Sequence, residues 1–243
     1  MRRYGLIGRN VSYSFSPGYF REKFNELGLE DCFYEIFDLP DLNAFSELFV
    51  LHPDIRGLNV TIPYKELILP YLHYLDPEAK SIGAVNTIRI SGHKLEGYNT
   101  DVTGFKESLI PLLRTSDLGA LVLGTGGASK AVAYGLKQLG ISCQFVSRRP
   151  GPGLLTYSDI DAKILAEHSI LINCTPLGTY PEVEAAPPIP YSLLNPSHLL
   201  YDLIYNPNQT KFLQYGAEKG TRTKNGLEML QLQADASWNL WNS

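Results

Sequence analysis

The chain has 243 residues, 44% of them hydrophobic, enough apolar material for one large cored domain or two small ones. A formal net charge of -4 with 19% charged residues leaves no basic field of the kind nucleic acid requires. The cysteines (Cys32, Cys143, Cys174) lack CxxC spacing and the histidines lack HxxxH or HxH spacing, which argues for reduced thiols and against a metal site.

Arg9 interrupts the first apolar stretch, so the N-terminus does not read as a signal peptide. No apolar run approaches a membrane span, and a cytoplasmic protein is expected. The first predicted strand is "YGLIG" (Tyr4 to Gly8). Ser16-Pro17 has the form of an N-cap followed by Pro at N1, opening a helix to about Leu27 with Gly28 as its stop. "CFYEIFDL" (Cys32 to Leu39) reads as the second strand, and "DLNAFSELF" (Asp41 to Phe49) carries a helical apolar stripe. "GLNVTIPYK" (Gly57 to Lys65) alternates as a half-buried strand. Leu58, Val60 and Ile62 share one face; Asn59, Thr61 and Pro63 share the other, and Lys65 follows them if the chain stays extended. Strand, helix, strand, helix, strand in sixty residues predicts a parallel α/β sheet, to which "AVNTIRI" and "HKLEGYN" add a hairpin.

"DVTGFKESLIPLL" (Asp101 to Leu113) is a helix, after which "GALVLGTGGASKAVAYGLKQLG" (Gly119 to Gly140) begins a second α/β unit. Its next strands are "SCQFVS", "HSILINC" and "HLLYDLIY", and "EAAPPIP" is a loop. The last segment, Gly226 to Trp241, is helical, with Leu227, Leu230, Ala234, Trp238 and Trp241 at helical spacings.

Gly124, Gly126 and Gly127 stand between an apolar strand and a helix, where backbone N–H groups can approach a pyrophosphate. The G-x-G-x-x-G pattern is incomplete, because Ser129 occupies the third glycine position, yet a small residue there still allows close packing. A binder of NAD ends its next strand in Asp or Glu. This one ends in Ser147-Arg148-Arg149, and no acid follows until Asp159. Two guanidinium groups in place of a carboxylate suit a 2′-phosphate, so NADP is the expected cofactor.

The chain resembles the shikimate dehydrogenase family along nearly its whole length. The resemblance rests on "GLIGRNVSYSFSP", "GLNVTIPYK", "GAVNT", "NTD", "GTGGASKA" and "GLEMLQLQA" in that order, with "INCTPLG" and "YDLIYNPNQT". It implies an N-terminal α/β substrate-binding domain and a Rossmann-type domain for NADP, with a cleft between them. The C-terminal helix would return to the first domain, giving residues 1–101 plus 226–243 for substrate and 102–225 for NADP. The implied reaction is the reversible reduction of 3-dehydroshikimate to shikimate. The sequence departs from the family pattern at Asn10, Val11, Ser12 and Tyr13, where Pro and His are replaced. The segment between Arg149 and Ser169 is short and opens with "PGPG", so its crossover helix is expected to be truncated or lost.

The resemblance also implies roles. Ser14 and Ser16 would hold the substrate carboxylate, with Tyr205 near it. Asn59, Thr61, Asn86 and Gln233 would meet the ring hydroxyls, and buried amides matched to hydroxyls discriminate strongly. Any one of these residues reads equally well as a surface polar group; the set taken together with the glycine turn does not. Lys65 would donate a proton to the carbonyl oxygen and stabilise its charge, and Asp101 would hydrogen-bond the same hydroxyl and orient Lys65. Asp101 also suits the N-cap of its helix. Gly124, Gly126, Gly127, Ala128, Ser147, Arg148 and Arg149 would hold NADP, and Thr175, Leu203 and Gly226 would border the nicotinamide. The partners implied are the small-molecule substrate and cofactor, with a monomer or homodimer as the assembly. The rival readings are a quinate or NAD-using relative, a sensor that binds both ligands without turnover, and a generic Rossmann protein.

Overall fold

The computed structural model describes residues 1–12 and 14–243. Internal contacts divide the chain into two compact units, Met1–Thr100 with Gln233–Ser243, and Asp101–Leu232. The second crossing therefore falls inside the final helix, seven residues beyond the expected Gly226 boundary.

The first unit contains β1 (Arg2–Gly8), α1 (Ser16–Glu26), β2 (Cys32–Asp38), α2 (Phe45–Leu51), β3 (Ile55–Val60), α3 (Tyr64–Leu67), β4 (Tyr74–Leu75), α4 (Pro77–Ile82), β5 (Thr87–Ser91) and β6 (Lys94–Tyr98). Its sheet order is β2-β1-β3-β5-β6-β4. β1 pairs in parallel with β2 and β3, and β5 runs antiparallel to β3 and β6, which is the predicted parallel core with its added hairpin. Ile7, Leu58, Val60 and Ile88 pack on one side of this sheet. On the other side Tyr4 packs with Phe20, Phe24 and Trp241. The Trp241 ring stacks on Tyr4 at 4.9 Å and donates its N–H to the Ile88 carbonyl at 3.0 Å.

Two local expectations need correction. β3 ends at Val60 rather than running on to Lys65. Between two hydrogen-bonded neighbours a strand needs its amides, and Pro63 has none to give, so the chain turns and Lys65 lies on α3. Ser16 is the first residue of α1, not its cap: Phe15 stands at that position, and its side chain makes no capping hydrogen bond. The altered loop after β1 is held by Asp38, whose carboxylate accepts the amides of Asn10 at 2.8 Å and Val11 at 3.3 Å. Asn10 adopts φ +56°, a left-handed conformation that Asn tolerates. Tyr13 lies outside the described residues.

The second unit contains α5 (Asp101–Leu109), β7 (Gly119–Leu123), α6 (Gly127–Gln138), β8 (Ser142–Ser147), β9 (Leu154–Thr156), α7 (Ala162–Glu167), β10 (Ile170–Asn173), β11 (Leu199–Asp202), α8 (Lys211–Ala217), β12 (Arg222–Lys224) and the start of α9 (Leu227–Trp241). Its sheet, β12-β11-β10-β7-β8-β9, is parallel throughout. Val122, Ile172 and Tyr201 enter one core, and Leu121, Leu171 and Leu200 enter the other, so both faces are covered as a parallel sheet requires. The crossover between β8 and β10 is short but keeps the helix α7 and gains the edge strand β9. α7 has its own cap, as Asp161 accepts the Ile164 amide at 2.8 Å.

Candidate active site

In the first unit Asn59, Asn86 and Gln233, three of the residues expected to meet substrate, converge on one buried polar cluster. Asn86 is buried at the entry to β5. Its side-chain Oδ1 accepts the Thr100 amide at 2.7 Å, and its Nδ2 donates to the Thr100 hydroxyl at 2.9 Å and to Gln233 Oε1 at 3.3 Å. Gln233 reaches it from α9, so the returning helix completes the cluster. Asn59 is turned inward. Its amide faces Ser237 Oγ at 2.9 Å and the Asn86 carbonyl and Thr87 hydroxyl at 3.3 Å, while its Oδ1 accepts the Tyr34 phenol at 2.8 Å.

The serine pair of the first unit is linked to itself. Ser14 Oγ lies 3.4 Å from Ser16 Oγ and accepts the Ser16 amide. The Tyr34 ring stacks on Phe20 at 4.3 Å, and burial pushes the phenol's pKa up, so it stays a neutral donor. Thr61 is half-buried, with its amide on the Ile7 carbonyl at 2.9 Å. The Lys65 carbonyl accepts the Val85 amide at 2.7 Å, which ties α3 to the residue before Asn86.

Four members of this cluster escaped the sequence reading: Tyr34, Thr87, Thr100 and Ser237. Ser237 is fully buried and lies within 3.1 Å of hydroxyls or amide groups of Asn59, Thr87 and Thr100. Its spacing of one helical turn from Gln233 was the available signal, since i and i+4 share a face.

In the second unit the expected cofactor residues gather at the carboxyl end of the parallel sheet. The strand order reverses about β7 and β10, and ligands bind at such switch points. Gly124 follows β7 with φ +110°, and an added β-carbon would sit 3.3 Å from Thr175 Cγ2 in the turn after β10. Gly126 caps α6 in an extended conformation, and its α-carbon opens on empty space. Gly127 and Ala128 form the first turn of α6. Ser129 is completely buried and donates to the Gly126 carbonyl at 2.7 Å, fitting the close approach expected of a small residue.

Ser147 ends β8, and its hydroxyl accepts the Arg149 amide at 3.2 Å. Arg148 and Arg149 are both exposed. The nearest following acid, Asp159, is committed to a capping box with Thr156. Leu203, Ile204 and Tyr205 form the turn after β11, and buried Gly226 packs so closely on the Leu203 carbonyl that a side chain would collide with it. Asp101 is buried at the first position of α5. An open glycine turn at a helix N-terminus, with two free-standing guanidinium groups at the end of the next strand, fits a phosphorylated dinucleotide.

Such a sheet and turn define a dinucleotide-binding α/β protein, here joined to a second α/β unit with a polar centre. The family model for the shikimate dehydrogenase substrate-binding domain matches residues 6–88. A shikimate dehydrogenase (NADP(+)) from Clostridium beijerinckii is 40% identical, over 99% of this chain and 92% of its own. One from Desulforamulus reducens is 37% identical, over 98% of this chain and 88% of its own. The structure of shikimate 5-dehydrogenase from Thermus thermophilus, in complex with NADP(H) and shikimate, aligns with a TM-score of 0.88 at 34% identity, covering 99% of this chain and 93% of that one. The chain belongs to the shikimate dehydrogenase family.

Proposed function

We propose that this chain is an NADP-dependent oxidoreductase that interconverts 3-dehydroshikimate and shikimate. What carries the reading is the chemistry of the first unit's polar side chains: neutral hydroxyls and amides linked from Tyr34 through Asn59 and Asn86 to Gln233, with the Ser14–Ser16 pair and with Lys65 on α3. A ligand with one carboxylate and several hydroxyls needs that kind of surface. The bound ligands of the Thermus relative support the same substrate and cofactor.

In this reading the first unit binds substrate and the second binds NADP. Ser14 and Ser16 take the carboxylate, with Tyr205 near it. Thr61, Asn86 and Gln233 hydrogen-bond the ring hydroxyls, and Asn59 serves them by holding Tyr34 and the Asn86 carbonyl in place. Gly124, Gly126, Gly127 and Ala128 cradle the pyrophosphate, and Ser147, Arg148 and Arg149 take the 2′-phosphate. Thr175, Leu203 and Gly226 border the nicotinamide. When bound, the cofactor supplies the hydride. Lys65 Nζ stabilises the charge that develops on the carbonyl oxygen and donates the proton to it, and Asp101 accepts a hydrogen bond from the resulting hydroxyl. No helix among the described residues is long and apolar enough to cross a membrane, and the compartment in this reading is the cytoplasm.

The test is absorbance of reduced nicotinamide with shikimate and NADP+, repeated with NAD+ and with quinate. Saturable reduction of NADP+ by shikimate is expected. Calorimetric binding of both ligands without turnover would replace the enzyme with a sensor.

A further inference from the structure

Asp202 is completely buried at the end of β11, and among the described residues it forms no ion pair. Its carboxylate is instead the meeting point of three donors. Oδ1 accepts the Asn173 amide at 3.0 Å and the Ile204 backbone N–H at 3.1 Å, and Oδ2 accepts the Thr210 hydroxyl at 2.6 Å. Asn173, also fully buried, is its register partner on β10. Asn173 Oδ1 in turn accepts the Thr175 amide at 3.0 Å and the Thr175 hydroxyl at 2.6 Å. One carboxylate thus governs two turns on the ligand-binding edge of the sheet, the one carrying Thr175 and the one carrying Leu203 and Tyr205.

We propose that Asp202 is a positioning residue for the nicotinamide end of the cofactor, fixing Thr175 through Asn173 and the Leu203–Tyr205 turn through the Ile204 amide. The proposal rests on reading the second unit as the NADP domain. A carboxylate suits the task because it is acceptor-only, so every donor that reaches it is oriented by it. Burial pushes its pKa up to about 6, and the three donors oppose that rise. The titratable groups near it, Cys174 and Tyr191, are themselves held neutral by burial. None of the three donors that reach Asp202 belongs to the glycine turn or to Arg148 and Arg149, so its influence is directed to one end of the ligand.

The experiment compares Asp202→Leu, Asp202→Asn and Asn173→Ala with the native chain. Calorimetry reads the binding of NADPH and of adenosine 2′,5′-bisphosphate, which carries only the adenosine end. Steady-state rates give kcat and KM, and hydrogen exchange on the ligand-free protein reads residues 173–177 and 203–206. For Asp202→Leu we expect fragment affinity within about twofold of native, NADPH affinity reduced toward that of the fragment, and kcat lower by roughly 10- to 100-fold. Exchange should rise in both turns but not in α6. Asp202→Asn keeps one acceptor oxygen for Asn173 and Ile204 and should recover most of the loss. Asn173→Ala should loosen the Thr175 turn alone, and it serves if Asp202→Leu does not fold. Native NADPH affinity and kcat in folded Asp202→Leu, or in Asn173→Ala, would overturn the proposal, as would equal loss of fragment binding. If the native chain bound neither ligand, the NADP reading would fail, while unchanged exchange in the variants would separately refute the tie between Asp202 and the two turns.

Discussion

Arg222→Leu offers a test of the electrostatics of the second unit at a point remote from its ligand edge. Arg222 opens β12 and grips Asp117 with both terminal nitrogens, at 3.0 and 3.1 Å. It also donates to the carbonyls of Leu112 and Ser197. The Asp117 carboxylate further accepts the Ser169 hydroxyl and the Arg114 amide, both at 2.8 Å. This knot joins the amino ends of β7, β10 and β12. The Asp117 side chain has no exposed surface and the Arg222 side chain keeps 18%. Removing one partner of a buried pair costs ~3–5 kcal/mol, and the residual exposure of Arg222 puts the expected loss at the lower end, about 3 kcal/mol. That is a large part of the ~5–15 kcal/mol that holds a domain together.

The pH dependence carries the sharper prediction. Burial alone pushes the Asp117 pKa up, but hydrogen bonds from Arg222, the Arg114 amide and Ser169 outweigh it and hold the carboxyl below its ordinary value. A depressed folded pKa means stability that is present above the unfolded value of about 3.9 and is lost as pH falls through the folded pKa. Without Arg222 the largest influence opposing burial is gone, and with only the Arg114 amide and Ser169 left against it the folded pKa is expected to rise above the unfolded one. The variant should then gain stability as pH falls from 7 toward 4, and its deficit should shrink. Both tryptophans, Trp238 and Trp241, lie in the first unit, so their fluorescence in urea is an internal control. Hydrogen exchange of peptides from β10 to β12 reads the second unit. A loss under about 1 kcal/mol, or a deficit that stays constant between pH 7 and 5, would refute the reasoning.

Other expectations concern the site. Lys65→Ala should lower turnover at least ~10²-fold with an unchanged melting temperature; near-native turnover would remove Lys65 from the proton transfer. Arg148→Ala with Arg149→Ala should raise KM for NADP+ by 10-fold or more, on the order of one to two charge-assisted contacts, and leave that for NAD+ within about threefold; equal effects on both cofactors would mean the arginines do not read the 2′-phosphate. Ser237→Ala strands hydroxyls and an amide in the buried cluster and should cost about 1–3 kcal/mol in urea unfolding followed by tryptophan fluorescence. It should also raise KM for shikimate more than it changes kcat, and a native KM would detach the cluster from substrate binding.

The parts of this molecule that were legible in its sequence are those written within a few residues. The turn from Gly124 to Gly127 declares itself through an apolar strand before it and a helix after it, and the arginines at the end of β8 are read against one missing acid. The hairpin of β5 and β6 is equally local. The placement of Lys65 was misread because alternation ran past the point where Pro63 stops the ladder. Ser16 has a cap's sequence context, but it is the first helical residue, and its hydroxyl faces Ser14 Oγ rather than the amides of the first turn. Ser237 was invisible for a different reason. Its partners, Asn59, Thr87 and Thr100, arrive from separate stretches of chain and meet only when the sheet and α9 are assembled.

The split of α9 between the units has a consequence for how the protein is made. The second unit is one unbroken run of chain and has all of its residues once Leu232 is available. The strands of the first unit precede the second unit in the chain, yet Trp241, which covers Tyr4, and Ser237, which joins Asn59 to Thr87, come after it. Translation therefore imposes an order. The second unit can be finished first, while the polar centre of the other waits, open on one side, for the later turns of α9 that have not yet been synthesised.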